Sequence, residues 1–172
     1  MIVFGIGVDA VAVAVLGAVT LQRLAELAYS RRNETWLRAN GTIEHGAAHY
    51  PAIVLLHAAW LAGLWLLAIG ITPAWPWLAL FAVLQALRIW VLATLGRRWT
   101  TRIIVLPGAP LVASGPFRLL SHPNYAVVAA EIFVLPMAFG LFGYALVFSA
   151  LNALMMWVRI GAESKALRAE PH

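Results

Sequence analysis

Apolar residues lie in long continuous runs along this chain, broken by short polar segments. Three of these runs span residues 2–28, 52–71 and 75–95. A helix needs about 20 mainly apolar residues to cross the hydrocarbon core of a bilayer, which is about 30 Å thick. The pattern therefore predicts three transmembrane helices over these ranges.

Two shorter apolar runs, 124–138 and 142–159, follow near the C-terminus and are joined by Gly140-Leu141-Phe142-Gly143. Two glycines permit a sharp turn because glycine readily adopts positive φ angles. The last two helices are thus predicted to form a tight hairpin. The fold class predicted for the chain is all-α, an integral membrane bundle of about five transmembrane helices.

Composition supports this interpretation and narrows the chemistry. Hydrophobic residues make up 63% of the 172 residues and charged residues 11%. In soluble domains, about half of the residues are apolar and about a quarter are charged. The length fits one domain. The absence of cysteine excludes disulfides, thiolate metal sites and cysteine nucleophiles.

The net charge of +5 comes from basic residues that lie between apolar segments, so it indicates membrane orientation rather than a nucleic-acid partner. These residues follow the first, third and fifth spans: Arg31, Arg32, Arg38; Arg97, Arg98, Arg102, Arg118; Arg159, Lys165, Arg168. With five spans all three groups share one side. The prediction is an N-terminus outside and a cytoplasmic C-terminus. The sequence indicates no function for Asp9, which lies toward the outer half of the first span.

The segment 96–123 is the longest polar stretch, and it ends at the start of the fourth span. Pro123 suits the first turn of a helix, which would leave free N–H groups on Asn124 and Tyr125. With His122 and Arg118 nearby, this helix start suits a carboxylate or phosphate. The alternative is a simple helix cap beside a membrane-surface arginine.

Arg159 and Glu163 are four residues apart where the fifth span ends, so they share one helical face. They form either an intrahelical ion pair or a polar wall that faces the preceding loop. No metal site is predicted, because His45 and His49 have helical spacing but no convincing third ligand.

Further ionisable residues lie inside the predicted spans: Arg23 and Glu26 in the first, Arg88 in the third and Glu131 in the fourth. Such groups usually face the interior of a membrane protein. They either pair to fix helix packing or take part in catalysis. Gly5-Ile6-Gly7 is predicted to lie within the first helix, with no preceding strand, so it is not a dinucleotide loop.

The stretch from Gly115 to Tyr125, followed by a hairpin and Arg159…Glu163…Leu167, resembles the isoprenylcysteine carboxyl methyltransferase family. Leu95-Gly96-Arg97-Arg98-Trp99 resembles the family's entry to its cofactor loop, and the match covers about residues 85–167. The matched positions are Gly115, Pro116, Arg118, His122, Pro123, Tyr125, Arg159 and Glu163. Phe117, Ser121 and Ser164 depart from the family pattern.

The resemblance implies a cytoplasm-facing site for S-adenosylmethionine, with S-adenosylhomocysteine as product, formed by the last two helices and the loop before them. The residues expected to bind the cofactor are Gly115, Pro116, Arg118, His122, Pro123, Asn124, Tyr125 and Glu163. Within this set, the helix start with His122 would hold the carboxylate. Glu163 would accept from the ribose or ammonium, and Tyr125 would line the adenine slot.

The N-terminal half is similar to a small bacterial branch of the family that is linked to O-methylation of long-chain polyketide lipids such as alkylpyrones and alkylresorcinols. The resemblance therefore implies a lipophilic acceptor, methylated at the bacterial inner membrane. Arg159 or Arg88 would stabilise its anionic oxygen, and Glu26 is the candidate base. The predicted single domain comprises three spans (1–95), the cofactor loop (96–123) and the hairpin with its tail (124–172).

Several alternatives stay open at this point. The acceptor could be a prenylcysteine or a phospholipid, since these belong to related enzymes. An NADPH-dependent reductase of related fold is another possibility, as is a non-catalytic membrane protein or small transporter. A transporter would more naturally show repeated halves and broken helices near the midplane. The sequence indicates no oligomeric state.

Overall fold

The computed structural model describes residues 2–3, 6–7 and 9–169, with side chains from residue 9 to residue 166. The elements are, in chain order, β1 (Ile2–Val3), β2 (Ile6–Gly7), α1 (Ala10–Ala39), β3 (Ile43–His45), α2 (Tyr50–Leu67), α3 (Trp75–Leu95), β4 (Ile103–Val105), α4 (Pro123–Ala138) and α5 (Phe142–Ala169). Gly5 and the side chain of Leu167, both named above, lie outside the described residues.

The predicted all-α membrane bundle is confirmed. Over the described ranges there are five helices, and α1, α2, α3 and α5 are long and apolar enough to cross a membrane. With 16 residues, α4 extends about 24 Å at a rise of about 1.5 Å per residue, which is short of a full span. Large apolar side chains on the outer faces are exposed, among them Leu55, Leu66 and Trp157, as expected of surfaces that face lipid.

The predicted start of the first helix is wrong. α1 begins at Ala10 because Asp9 caps it: one carboxylate oxygen accepts from the N–H groups of Val11 (2.9 Å) and Ala12 (3.0 Å). The other accepts from the Thr72 hydroxyl at 2.7 Å, and this bond lowers the pKa of Asp9. Asp9 thus has a structural role. Ile6-Gly7, predicted as helix, pairs with β1 as a strand instead.

The predicted bounds of the other helices agree with the structure to different degrees. α3 matches the predicted range of 75–95, whereas α2 ends at Leu67 and α1 and α5 continue well past their predicted ends. Both extensions are polar, so hydropathy shows where the membrane ends but not where the helix ends. The hairpin turn uses Gly140, at φ +69°, while Gly143 lies inside α5.

α4 is the most enclosed helix and packs between α3 and α5. Its Ile132 and Leu135 join a core with Trp60 of α2 and Leu16 of α1. The Trp60 indole donates to the carbonyl of Ile132 at 3.3 Å. The apolar half of the bundle therefore fixes the position of α4, whose first turn carries the polar residues Asn124 and Tyr125.

A short antiparallel pairing of β3 with β4 was not predicted. It aligns Ile43 with Val105 and His45 with Ile103, so the connection between α1 and α2 lies against the loop that precedes α4. Arg102 donates to Glu44 at 2.5 Å, and Arg38 also pairs with Glu44. We call the β3–β4 pair with the ion pairs of Glu44 the strap. It holds the long loop in place over the end of the bundle.

Candidate active site

A cavity of about 500 Å³ lies where the loop between α3 and α4 meets the first turn of α4 and the last turns of α5. Its volume falls within the range of about 300–1,000 Å³ that is typical of small-molecule sites. Four of its lining residues are polar groups that contact one another, and we call them the cavity cluster: His122, Tyr125, Arg159 and Glu163. The structure thus brings together side chains that the sequence placed up to 41 positions apart.

The Tyr125 hydroxyl is the centre of the cavity cluster. It donates to Glu163 Oε2 at 2.5 Å and accepts from Arg159 Nε at 2.9 Å. His122 Nδ1 lies 3.6 Å from the same carboxylate oxygen, and the imidazole stacks on the Tyr125 ring with centroids 5.4 Å apart. Arg159 and Glu163 are therefore joined through Tyr125 rather than as a direct intrahelical ion pair, and they form part of a polar wall.

Arg159 is held from a second direction by the loop. Its Nη2 donates to the backbone carbonyl of Thr101 at 2.8 Å, and the residue is only 8% exposed. A buried guanidinium is costly unless its donors are satisfied. Two fixed partners therefore give this cation a defined orientation beside the cavity.

The expectation of free N–H groups at the start of α4 is wrong for Tyr125. Its N–H donates to the carbonyl of His122 at 3.1 Å, and that of Ala126 donates to the same atom at 3.3 Å. Pro123 carries no N–H. The first turn thus offers fewer donors to an anion than predicted, and more of the recognition falls to side chains.

Three predicted cofactor residues do not line the cavity. Gly115, at φ +56°, packs so closely on α3 that an added Cβ would lie 2.7 Å from the Thr94 hydroxyl. Pro116 beside it is buried, and Arg118 is exposed. The Gly-Pro pair thus holds the loop against α3. By contrast, His122, Pro123, Asn124, Tyr125 and Glu163 line the cavity.

Glu26 and Arg88, predicted as catalytic, lie in a separate buried group that does not line the cavity. We call it the charge cluster: Arg23, Glu26, Arg88 and Glu131. Arg88 donates to both oxygens of Glu26 at 2.5 and 2.6 Å and to Glu131 at 2.9 Å. Arg23 bonds both carboxylates at 3.1 and 2.6 Å. This geometry favours the interpretation that these charges fix helix packing.

Thr101 received no role from the sequence. Trp99 and Asn124 lie in segments that the sequence did single out, but their side-chain polar atoms were given no particular role. Trp99 and Asn124 both line the cavity, and Trp99 Nε1 and Asn124 Oδ1 are buried without a hydrogen-bond partner among the described residues. Buried polar atoms are normally paired, and these two are enclosed by protein rather than exposed to the cavity. Position next to the Arg97-Arg98 pair was the available signal for Trp99.

Comparison with known proteins agrees with this geometry. The model of the isoprenylcysteine carboxyl methyltransferase (ICMT) family matches residues 77–169, more than half of the chain. The Bacillus subtilis (strain 168) protein called "Uncharacterized protein YpbQ" is 40% identical over 153 residues, which cover 86% of this chain and 91% of the relative. No solved structure matches. The matched range contains the whole cavity cluster, and the chain belongs to the isoprenylcysteine carboxyl methyltransferase family, whose members are membrane-bound methyltransferases that use S-adenosylmethionine.

Proposed function

We propose that this protein transfers a methyl group from S-adenosylmethionine to an oxygen of a lipophilic acceptor, a long-chain polyketide lipid of the alkylpyrone or alkylresorcinol type. The observation that carries the proposal is the cavity cluster on the wall of the 500 Å³ cavity. A charged carboxylate, an imidazole and an anchored guanidinium converge there, at the end of an otherwise apolar bundle.

The donor set of the cavity fits the cofactor. S-adenosylmethionine carries an ammonium and ribose hydroxyls, which need acceptors, and Glu163, which lines the cavity with a side chain 29% exposed, supplies one. Its adenine needs apolar contacts, and the aromatic side chain of Trp99 lines the cavity. When bound, the cofactor supplies a methyl group activated by the positive sulfonium.

Glu163 is suited to its role because Tyr125 fixes it. The 2.5 Å bond from the Tyr125 hydroxyl occupies one carboxylate oxygen, Oε2, and the side chain remains 29% exposed. The remaining acceptor capacity can therefore meet a hydroxyl or an ammonium without any rearrangement of α5. Hydrogen bonds to a charged group are about twice as strong as neutral ones.

Arg159 is placed to act on the acceptor rather than on the cofactor. A hydroxyl or enol would react as its anion after its proton passes to solvent water, and a fixed cation beside that oxygen favours ionisation. Such a preorganised charge needs no reorganisation during the reaction. The bond from the acceptor oxygen to the methyl carbon would form as the bond from sulfur to that carbon breaks, which leaves S-adenosylhomocysteine. Arg88 is committed to two carboxylates, so Arg159 is the better candidate of the two.

Several apolar side chains also line the cavity and suit an alkyl chain. They include Leu37, Leu95, Leu106, Leu111, Val112 and Phe117. A polyketide lipid presents a small hydroxylated ring on a long chain, which matches a cavity lined by both polar and apolar side chains. The family resemblance of the N-terminal half supports the same class of acceptor.

The positions of the basic residues support a cytoplasmic site in the bacterial cell membrane. The loop that covers the cavity carries Arg97, Arg98 and Arg102, and short loops rich in arginine stay on the cytoplasmic side. We accordingly propose that residues 1–172 form one methyltransferase domain, with the N-terminus outside. Ranges 1–95, 96–123 and 124–172 would supply the three spans, the cofactor loop and the hairpin with its tail.

Incubation of the purified protein with radiolabelled S-adenosylmethionine and total bacterial membrane lipid tests the proposal. We expect label in a methyl ether on a long-chain aromatic or pyrone lipid, identified by mass spectrometry. The Arg159→Gln variant, measured in parallel, should incorporate much less. Label in phospholipid or in prenylcysteine esters would contradict the acceptor class, and no label in any lipid would contradict methyl transfer.

A further inference from the structure

We propose that Thr101 is a positioning residue that holds the Arg159 guanidinium against the cavity and connects it to α1 and α2. This inference rests on the proposed function, because it assigns Arg159 to the acceptor. It also gives the two N-terminal helices, which lie outside the matched range 77–169, a part in the active site.

Thr101 is the point where three helices meet one loop residue. Its N–H donates to Ser30 Oγ of α1 at 2.9 Å, and its hydroxyl lies 2.9 Å from the same oxygen. The hydroxyl also lies 3.0 Å from the Tyr50 hydroxyl of α2. Its carbonyl accepts from Arg159 of α5 at 2.8 Å. Every polar group of Thr101 is thus engaged.

The anchor on the α1 side is rigid. Ser30 is fully buried, and it also donates to Glu34 one turn later at 2.8 Å. Buried polar networks in which each member is satisfied restrict the conformations of their members. The Thr101 carbonyl is accordingly held in place from behind, by the two hydroxyls of Ser30 and Tyr50.

The two bonds of Arg159 lie on one edge of its guanidinium. Nε is bound by the Tyr125 hydroxyl and Nη2 by the Thr101 carbonyl, whereas Nη1 makes no hydrogen bond in the described part of the chain. The guanidinium is planar, with its donors in a fixed fork. Fixing one edge therefore sets the direction of the opposite edge. That second edge is available to an anionic acceptor oxygen.

Thr101→Val tests the proposal because valine keeps the shape of threonine and the backbone carbonyl but loses the hydroxyl. We expect the turnover number for lipid methylation to fall about tenfold, the effect of losing one good hydrogen bond. The KM for S-adenosylmethionine and the affinity for S-adenosylhomocysteine should stay within about twofold of wild type. Thr101→Ser should restore turnover, and Ser30→Ala should reproduce the loss.

The pH profile separates positioning from a general structural defect. A misplaced Arg159 favours acceptor ionisation less, so the rise of turnover with pH should move to higher pH in Thr101→Val and not in Thr101→Ser. A purely structural role would lower thermal stability and cofactor affinity together and leave the profile where it is. That combination would overturn the proposal.

Chemical labelling decides the question independently of activity. We expect phenylglyoxal to modify Arg159, mapped by mass spectrometry, several times faster in Thr101→Val than in wild type or Thr101→Ser. The exposed Arg31 serves as the internal reference. Equal labelling of Arg159 in all three proteins would overturn the positioning role. If the wild type transferred no methyl group, the proposed function would fail, and labelling would still decide whether Thr101 positions Arg159.

Discussion

The charge cluster and the cavity cluster use similar side chains within one bundle, yet they differ in how completely their carboxylates are hydrogen-bonded. In the charge cluster, two arginines face two glutamates, and all four carboxylate oxygens accept at least one hydrogen bond. Glu131 is fully buried. In the cavity cluster, His122 and Glu163 are about 30% exposed, and the only hydrogen bond that Glu163 accepts among the described residues is to Oε2.

This difference indicates that the charge cluster joins helices, whereas the cavity cluster can bind a ligand. A closed set of balanced charges has little left to offer a ligand, but it joins α1, α3 and α4 at one depth in the bundle. An open set retains hydrogen-bonding capacity that only a ligand or solvent can use. Ionisable residues inside a membrane protein are functional candidates by default, and the state of their partners decides which candidates to keep.

The largest expected effect comes from opening the charge cluster. Arg88→Met removes the buried one of the two cations that Glu26 and Glu131 share and leaves them with the partly exposed Arg23 alone. Breaking a buried pair costs about 3–5 kcal/mol. We expect the free energy of unfolding, measured by denaturant titration in detergent, to fall by that amount. The folded fraction should bind S-adenosylhomocysteine with an affinity within about threefold of wild type, because the cluster does not contribute ligand contacts.

The exposed Arg31 provides the matched control for that experiment. Arg31→Met should change the free energy of unfolding by less than about 0.5 kcal/mol. If Arg88→Met left stability intact but abolished methyl transfer, the charge cluster would be catalytic and the distinction drawn above would fail.

Loss of the carboxylate charge in the cavity cluster should weaken ligand binding and leave stability nearly unchanged, the reverse of the outcome for Arg88→Met. Glu163→Gln should weaken S-adenosylhomocysteine binding about 10- to 100-fold, since hydrogen bonds to charged groups contribute about 1.5–3 kcal/mol. Its free energy of unfolding should change by less than about 1 kcal/mol, as for other partly exposed groups. Asp9→Asn, the same carboxylate-to-amide change at a residue that does not line the cavity, is the control; equal affinities in the two variants would remove Glu163 from the site.

Tyr125→Phe sharpens the comparison with a smaller change. The ring and its stacking on His122 remain, but the bridge between Arg159 and Glu163 is lost. We expect a loss of about tenfold in turnover, the lower end of the effect of hydrogen bonds to charged groups, about 1.5–3 kcal/mol, because Arg159 keeps its bond to Thr101. Steady-state kinetics with the identified lipid would measure it, and turnover equal to wild type would show that the bridge is dispensable.

The smallest effect concerns the strap. Burial raises the pKa of Glu44, but hydrogen bonds and charge from Arg102 and Arg38 outweigh it, so the pKa lies below its ordinary value of 4.5. A depressed carboxyl pKa stabilises the fold above that ordinary value and ceases to do so as the pH falls through the lowered pKa.

Glu44→Gln should therefore cost at most about 1 kcal/mol at neutral pH, as is usual for surface ion pairs. Below pH 4.5, the difference between the variant and wild type should shrink in thermal melts recorded across pH. A difference that grew toward acid pH would contradict the assignment of Glu44 as a stabilising carboxylate.

The sequence predicted the parts of the fold that hydropathy controls. α3 has its expected bounds because Pro76 opens it and Gly96 ends it. The start of α1 was missed because an aspartate in an apolar run was taken as part of the span, although aspartate is a favoured N-cap. Strands as short as β3 and β4 carry too few residues for an alternating pattern, so their pairing had no local signal.

The site was predictable to the extent that its residues form a motif. His122, Tyr125, Arg159 and Glu163 were identified by spacing and resemblance, and the structure brings them together. The bridging role of the Tyr125 hydroxyl and the contact between Thr101 and Arg159 depend on how α4, α5 and the loop pack. Such contacts span 34 and 58 positions, and periodicity along the chain contains no information about them.

Calorimetric titration of the purified wild-type protein with S-adenosylhomocysteine tests the central claim most directly. The account predicts a saturable heat at one site per chain, and none when NADPH replaces the nucleoside. Absence of heat with S-adenosylhomocysteine, or saturable heat with NADPH instead, would contradict the assignment of the cavity to a methyl-donor cofactor.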